Sequence, residues 1–206
     1  MRVNFGGVAM CGLTRFKINR LTKKLKAMQQ YRVHNQPSAD ELKKEIAGYH
    51  KLAGIYKSLQ GKKKYPFAHE LELECYRAAT AIDDSVAQYI LGKDLLDEAK
   101  LRESLQLQGV FANSSNERQM KQLYEEAHAY LLAAEQLSHI EAKRLRGLCY
   151  INGWGVTADK KKGFELIVDS IEQENSWDKV PQIFASMGLN KPEFFSQLTQ
   201  LRHNKS

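Results

Sequence analysis

Apolar residues recur every three or four positions along most of the chain, which is the spacing of an α-helix with one buried face. The clearest stripe comprises Met120, Leu123, Tyr124, Ala127, Tyr130, Leu131, Ala134 and Leu137. Comparable stripes predict helices over residues 15–32, 42–59, 71–82, from 86 onwards, 142–152 and 160–174, with two shorter helices after Ser176 and Lys191. No run alternates convincingly with a period of two, so the sequence predicts an all-α fold.

The breaks between these stripes contain residue types that start and stop helices. Pro37 followed by Ser38 favours a fresh helix start, because serine side chains cap exposed amide groups. Asp83 or Asp84 is the candidate cap of a later helix. Residues 106–116 contain a glycine and an Asn-Ser-Ser-Asn cluster, which predicts a loop. The connections are short, so we expect neighbouring helices to be antiparallel.

The chain also contains an internal repeat of small residues. When residues 77–80 are aligned with residues 132–135 without a gap, Ala78, Ala79, Ala87 and Gly92 fall on Ala133, Ala134, Ala142 and Gly147. Small residues at these positions allow helix backbones to approach closely. A weaker third copy places Gly48, Ala53 and Tyr56 on Ala142, Gly147 and Tyr150. Three copies are about the minimum for a stable stack of helix pairs.

The most specific pattern lies in residues 142–164, and it is formed by Ala142, Gly147, Tyr150, Gly153, Gly155 and Asp159. This segment resembles a Sel1-like repeat, a relative of the tetratricopeptide repeat (TPR). The resemblance implies an α-solenoid of antiparallel helix pairs over about residues 39–188. The two turn glycines can provide unusual backbone angles, and the aspartate can cap the next helix. The chain departs from the repeat at Gly163, Ser170 and Ile171, where alanine is usual.

The same resemblance implies a function, because Sel1-like arrays present an extended concave surface to other proteins and in bacteria are often linked to secretion or host interaction. We therefore expect a non-enzymatic scaffold or adaptor whose partner is another protein. Exposed aromatic and arginine side chains are typical anchors of such interfaces. The candidates are Tyr56, Tyr89, Arg144 and Trp154. Tyr56 also occupies a recurrent repeat position, where a tyrosine more often belongs to the core.

Positive charge is concentrated near the N-terminus. The chain has 31 lysines and arginines against 24 acidic residues, a net charge of +7. Eight of the bases and none of the acids lie in residues 1–36. We therefore divide the chain into a basic arm with an amphipathic helix, residues 1–38, and a Sel1-like repeat domain, residues 39–206. The cations of the arm helix that we expect at its surface are Arg15, Lys17, Arg20, Lys23, Lys24 and Lys26.

Several roles are open for this arm. Its cations favour an anionic membrane surface, the phosphates of a nucleic acid or an acidic groove on a protein. Aromatic residues for base stacking are sparse, since only Phe16 and Tyr31 lie nearby. The remaining interpretations are a solvated tail, a helix docked on the body as an N-terminal cap, and a mitochondrial targeting peptide. Met10 is an alternative first residue.

The sequence has no pattern typical of an active site or a metal site. The six histidines are scattered, and no HExxH, CxxC, GxSxG or Walker-type loop occurs. We therefore expect no enzymatic activity, no cofactor and no small-molecule substrate. The three cysteines are far apart and odd in number, which favours free thiols in a reducing cytoplasm. No window approaches the roughly 18 apolar residues of a membrane helix, so the expected location is cytoplasmic or peripheral to a membrane complex.

Overall fold

The computed structural model describes the backbone of residues 6–189 and 191–205, and the side chains of residues 12–189, 191–196 and 198–200. Arg2 and the question of a start at Met1 or Met10 lie outside this description. Within it the chain is helical and contains no β-strand, so the all-α prediction is confirmed. The helices are α1 (Gly6–His34), α2 (Ala39–Lys57), α3 (Ala68–Thr80), α4 (Ser85–Leu107), α5 (Ser114–Gln136), α6 (Ile140–Asn152), α7 (Lys160–Glu174), α8 (Val180–Ser186) and α9 (Pro192–Lys205), with a short 3-10 helix at Trp177–Lys179.

Capping side chains explain where two of these helices begin. The Ser38 hydroxyl accepts a hydrogen bond from the Glu41 amide at 3.3 Å, while the Ser38 amide donates to the Glu41 carboxylate at 2.8 Å. This reciprocal pair satisfies two amide groups that the first turn of α2 leaves unpaired. It also lowers the pKa of the Glu41 carboxyl, chiefly through the backbone hydrogen bond from Ser38. At the start of α4, the Asp84 carboxylate accepts from the Val86 amide at 3.3 Å.

The chain divides into two compact units, Met1–Ala87 and Gln88–Ser206. In the first unit α1 packs against α2, and α2 packs against α3. Leu25 of α1 is buried and lies so close to α2 that a Cβ added to Gly48 would meet its methyl group at 2.7 Å. Arg32 of α1 forms an ion pair with the buried carboxylate of Glu45 at 3.4 Å. The first unit is therefore held together by apolar and charged contacts between α1 and α2.

Helix α1 differs from its predicted form in two respects. It begins at Gly6, whereas the periodic stripe predicted a helix over residues 15–32. Glycines at positions 6, 7 and 12 disfavour helix in a sequence-based reading, and the structure continues the helix through them. The predicted stripe is partly or fully buried, at Ile18, Leu21, Leu25 and Met28. The rest of the helix is less polar than expected, because Leu13 and Phe16 are exposed.

In the second unit α5 packs against α6, α6 against α7, and α7 against α9. One cluster of its core contains Leu148, Ile151, Phe164, Ile167, Val168, Ile171, Val180, Ile183, Phe184, Leu189 and Leu198. A second cluster contains Leu96, Ala99, Tyr124, Ala127, Leu131, Ala134, Ala142 and Cys149. Helix α6 contributes to both clusters, so it is the central element of this unit.

The small residues of the internal repeat lie where helices meet. A Cβ added to Gly147 would meet the carbonyl oxygen of Gly163 at 2.6 Å and a side-chain carbon of Ile167 at 2.7 Å. A Cβ added to Gly163 would likewise meet the carbonyl oxygen of Gly147 at 2.6 Å. Helices α6 and α7 therefore cross with their backbones in contact. In α4 a Cβ on Gly92 would meet Leu131 of α5 at 2.8 Å.

The alanines of the repeat are divided between full and partial burial. Those with no exposed surface are Ala79, Ala87, Ala134 and Ala142. Ala78 and Ala133, which precede two of them in the sequence, are half-buried. A larger side chain at any of the four buried positions would have to displace a neighbour, because protein interiors are close-packed.

The turn between α6 and α7 requires glycine at two positions. Gly153 ends α6 with a φ of 74°, and Gly155 has a φ of 69°, both in the left-handed region that glycine adopts readily. A Cβ on Gly155 would also collide with the backbone carbonyl of Tyr124. Asp159 then caps α7, since its carboxylate accepts from the Lys162 amide at 3.0 Å. The turn thus lies directly against α5.

Candidate functional site

A cavity of about 340 Å³ lies in the second unit, between α4, α6, α8 and the turn after α6. Its volume is at the lower end of the range for ligand pockets in proteins. Helix α4 contributes Tyr89, Lys93, Asp97 and Lys100, helix α6 contributes Glu141, Arg144, Leu145 and Leu148, and the other lining residues are Trp154, Ser186 and Met187. Three of the four anchors predicted from the sequence, Tyr89, Arg144 and Trp154, therefore line one cavity.

The position of Trp154 follows from the glycine turn. Its amide donates to the carbonyl oxygen of Cys149 at 3.0 Å, which holds the backbone against the end of α6. Its indole stacks on the ring of Tyr124, with centroids 5.8 Å apart and planes within 3° of each other. The Tyr124 hydroxyl in turn donates to Glu103 at 2.7 Å, and burial raises the pKa of that phenol. Trp154 is half-buried, with part of its indole in contact with the core and part in the cavity wall.

The floor of the cavity is apolar. Leu148 is buried in the core of the second unit, and Leu145, Met187 and Trp154 pack against that core while also lining the cavity. Methionine side chains adapt to irregular apolar surfaces and are common at protein-binding sites. An apolar side chain of a ligand could therefore extend the core of this unit into the cavity.

Helix α4 provides the charged wall. Tyr89, Lys93, Asp97 and Lys100 are spaced by four, four and three residues, which places them on one face of the helix. Lys93 and Asp97 form an ion pair at 2.6 Å, and the hydrogen bond from Asp97 is the main reason that the pKa of Lys93 is raised. The Lys100 ammonium lies 4.4 Å from the centroid of the Trp154 ring. Among the described residues no carboxylate pairs with Lys100, so its charge is available to a ligand.

Arg144 is fixed by two partners on α7. Its Nε donates to the Ser170 hydroxyl at 3.1 Å, and its Nη2 forms an ion pair with Glu174. Ser170 is fully buried and also donates to the carbonyl oxygen of Ile167 at 2.6 Å. Its hydroxyl thus provides a reason for serine at a position where the Sel1-like pattern has alanine. Because Arg144 already has a carboxylate partner, it contributes shape and hydrogen-bond donors to the cavity more than free charge.

Tyr89 is oriented by the residue that caps α6. Its ring stacks on His139, with centroids 4.5 Å apart and planes 20° from parallel. The His139 Nδ1 accepts a hydrogen bond from the Ala142 amide at 3.3 Å, which fixes the imidazole at the start of α6. Burial raises the pKa of the Tyr89 phenol. Tyr89 is therefore a neutral, half-buried aromatic surface at the rim of the cavity.

The fourth predicted anchor, Tyr56, belongs to the first unit and not to this cavity. It is half-buried near the end of α2, and burial raises the pKa of its phenol. None of the four anchors is fully exposed, in contrast to the exposed anchors that we expected. The six cations predicted at the surface of the arm are all exposed on α1, and they are Arg15, Lys17, Arg20, Lys23, Lys24 and Lys26.

A second polar cluster in the same unit was not predicted from the sequence. Arg146 is buried, forms an ion pair with Glu135 and donates to His128 at 3.4 Å. Burial, and secondarily the charge of Arg146, lowers the pKa of His128 to about 4. The Lys162 ammonium lies 4.2 Å from the centroid of the Tyr150 ring, and a hydrogen bond from Lys162 is the main reason that the pKa of Tyr150 is lowered. The polar groups of this cluster therefore have their hydrogen-bond, ion-pair and cation–ring partners within the cluster.

Two described thiols are buried, and the described residues form no cluster of candidate metal ligands. Burial raises the pKa values of the Cys75 and Cys149 thiols to about 12, so both are protonated at neutral pH and weakly nucleophilic. In the part of the chain that the structure describes, no three histidine, cysteine or acidic side chains are grouped so that they could hold a metal ion. Among the same residues, no helix combines the length and apolarity needed to cross a bilayer.

Comparisons with known proteins give no match: no protein-family model fits the chain, and no curated protein is significantly similar to it. The resemblance to Sel1-like repeats therefore depends on the pattern of residues 142–164 alone, and it stays a prediction. The site is defined by its own geometry, which is an apolar floor between Trp154 and Met187, the Lys100 ammonium next to the Trp154 ring, and two half-buried aromatic residues.

Proposed function

We propose that this chain is a non-enzymatic, cytoplasmic adaptor that holds a segment of another protein in the cavity of its second unit. The observation that carries the proposal is the convergence of Tyr89, Arg144 and Trp154 on one concave surface. These three residues are far apart in the sequence, and their residue types alone predict them as anchors. Tryptophan, tyrosine and arginine are the side chains most enriched at the energetic centres of protein interfaces.

We further propose that the fold is an α-solenoid of antiparallel helix pairs of the Sel1-like, TPR-related type. Successive packing of α5, α6 and α7 supports this, because each repeat of a solenoid contacts its neighbours in order. The contact of Gly147 with Gly163 and the glycine turn before Asp159 support it as well. The packing of α2 on α3 would supply a further pair in the first unit.

The chemistry of the cavity indicates the kind of segment that it would hold. The floor of Leu145, Leu148 and Met187 fits a large apolar side chain. Lys100, which has no carboxylate partner among the described residues, fits an acidic side chain next to that apolar anchor. A cavity of about 340 Å³ accommodates one or two side chains and not a folded domain. We therefore propose a short peptide motif that combines an apolar anchor with an acidic residue.

The test is a selection of random peptides displayed on phage against the immobilised full chain, followed by calorimetric titration of the selected peptides. We expect the selected sequences to share a large apolar residue next to aspartate or glutamate. Lys100→Glu should weaken their binding at least tenfold, because it replaces an attraction by a repulsion worth about 1.4 kcal/mol or more. A matched control is Lys121→Glu, which makes the same change of charge at an exposed position on α5 outside the cavity.

Three outcomes would contradict the proposed peptide site. If selected peptides bind Lys100→Glu as tightly as the unaltered chain, or if Lys121→Glu weakens them equally, the cavity is not their site. Enrichment of peptides without an acidic residue would refute the proposed motif. Circular dichroism of both variants checks that the substitutions leave the helices intact.

A further inference from the structure

The side of α1 that faces away from α2 has an unusual combination of residues. At 100° per residue, five side chains between residues 13 and 23 lie within an arc of about 120° opposite the buried Leu25. We call them the outer face of α1, and they are Leu13, Phe16, Lys17, Arg20 and Lys23. All five are exposed. The face thus mixes three cations with one aliphatic and one aromatic side chain.

The apolar members of this face are exposed to an extent that packing does not explain. Phe16 is 64% exposed and Leu13 is 59% exposed. Leu13 and Phe16 are one turn apart on the helix, so their side chains are neighbours. Single exposed apolar residues are common on protein surfaces, whereas a group of them among charges marks an interaction surface.

The charge of this face is uncompensated. Helix α1 contains no acidic residue between Gly6 and His34. Among the described residues, no carboxylate lies within ion-pair distance of Lys17, Arg20 or Lys23. The complementary partner must therefore supply negative charge along the segment from Lys17 to Lys23, a rise of about 9 Å.

The buried side of the helix restricts how α1 can meet such a partner. The predicted apolar stripe could have entered a membrane if α1 were free. In the structure Leu25 lies against Gly48 of α2, and the other three residues of the stripe are partly buried. The outer face is the more exposed side of α1, and α1 would meet a partner there with α2 behind it.

We propose that the outer face of α1 binds the surface of a bilayer that contains anionic phospholipid. The cations would contact the headgroups, while Leu13 and Phe16 enter the boundary between headgroups and acyl chains. A single-stranded nucleic acid fits less well, because Phe16 and Tyr31 are about 22 Å apart along the helix and cannot stack on neighbouring bases. An aliphatic residue such as Leu13 has no role in contacts with phosphates alone.

The experiment is co-sedimentation of the full chain with vesicles of phosphatidylcholine alone or with about 30% phosphatidylserine, over a range of salt concentrations. We expect binding to the anionic vesicles and little to the neutral ones. The triple variant Lys17→Gln, Arg20→Gln, Lys23→Gln should weaken binding about 100-fold, since each cation near such a surface contributes about fivefold. The matched control is Lys43→Gln, Lys51→Gln, Lys57→Gln, which removes the same charge from exposed positions on α2.

A second pair of measurements separates lipid from other polyanions. Leu13→Ala with Phe16→Ala should lower binding to anionic vesicles at least tenfold while leaving the charge unchanged. If this variant binds vesicles as well as the unaltered chain, the apolar residues do not enter the bilayer and the proposal fails. It also fails if the α2 control loses as much binding as the α1 variant, or if a single-stranded or duplex oligonucleotide binds more tightly than the vesicles do.

Discussion

Replacement of Gly147 by alanine tests the close approach of α6 and α7. The added methyl group would lie 2.6 Å from the carbonyl oxygen of Gly163 and 2.7 Å from a side-chain carbon of Ile167. The carbonyl belongs to the backbone of α7 and cannot rotate away. The two helices must therefore separate, which disturbs the core on both sides of the crossing.

The expected change in the free energy of unfolding follows from two opposing effects. Overpacking of a well-packed interior costs about 1–3 kcal/mol, and contact with a backbone atom places this case near the upper limit. Alanine gains about 1 kcal/mol over glycine in a helix. We therefore expect Gly147→Ala to lower the free energy of unfolding by about 2 kcal/mol. For a chain of 206 residues this lowers the melting temperature by about 4–8 °C.

Two other glycines provide matched controls for the same substitution. Gly54 in α2 has no atom within 4 Å of an added Cβ, so Gly54→Ala should stabilise by about 1 kcal/mol. At Gly48 the added Cβ meets only the side chain of Leu25, whose nearest methyl group is at 2.7 Å. Because that methyl group can move, Gly48→Ala should fall between the other two. Urea denaturation followed by circular dichroism measures all three.

The order of the three variants in stability tests whether α6 and α7 touch at Gly147. If Gly147→Ala is neutral or stabilising while Gly54→Ala stabilises as expected, then α6 and α7 do not touch at this glycine. Equal effects at Gly48 and Gly147 would show that the distinction between a side-chain contact and a backbone contact is wrong. A changed slope of the urea transition would indicate an altered unfolded state.

Two further predictions concern the loop after α4 and the half-buried side chain of His128. Phe111 has a φ of 57° and an exposed side chain. Phe111→Gly should therefore stabilise the chain by about 0.5–1 kcal/mol, whereas Phe111→Ala should not, because alanine keeps a Cβ. Urea denaturation of both variants measures the difference in the free energy of unfolding. The pKa of His128 falls from 6.5 to about 4 on folding, so as the pH decreases through this window the unfolded chain binds a proton that the folded chain does not. Stability should decrease accordingly, with a slope below about 1.4 kcal/mol per pH unit because the side chain is partly solvated. His128→Gln should make this slope smaller, and an unchanged slope would show that His128 is not its source.

Much of the helical layout could be predicted, because local signals determine it. Apolar spacing located the helices of the second unit, and the Pro37-Ser38 pair located the start of α2. The start of α1 could not be predicted, since its glycines disfavour helix locally. The exposure of Leu13 and Phe16 was also missed. Periodicity selects the stripe that is most regular, and it does not show how much of the opposite side remains apolar.

The cavity could be predicted only in part. Tyr89, Arg144 and Trp154 were identified as anchors from residue type and position in the repeat. Their meeting depends on the packing of α4 against α6 and on the turn after α6, which no local pattern contains. Lys100 was not predicted as a site residue, although its spacing from Tyr89 places both residues on the same face of α4. Met187 lies in a connection after α8 and had no such signal.

Among the described side chains, one buried thiol in each unit gives the chain a reporter of opening. Cys75 lies in the first unit and Cys149 in the second, and both are protonated and shielded in the folded state. An alkylating reagent can modify each of them only when its own unit opens. Pulsed alkylation followed by mass spectrometry of the digested chain would therefore give two separate opening rates from one sample. Equal rates would mean that the units open in one cooperative step, and unequal rates that each has its own barrier.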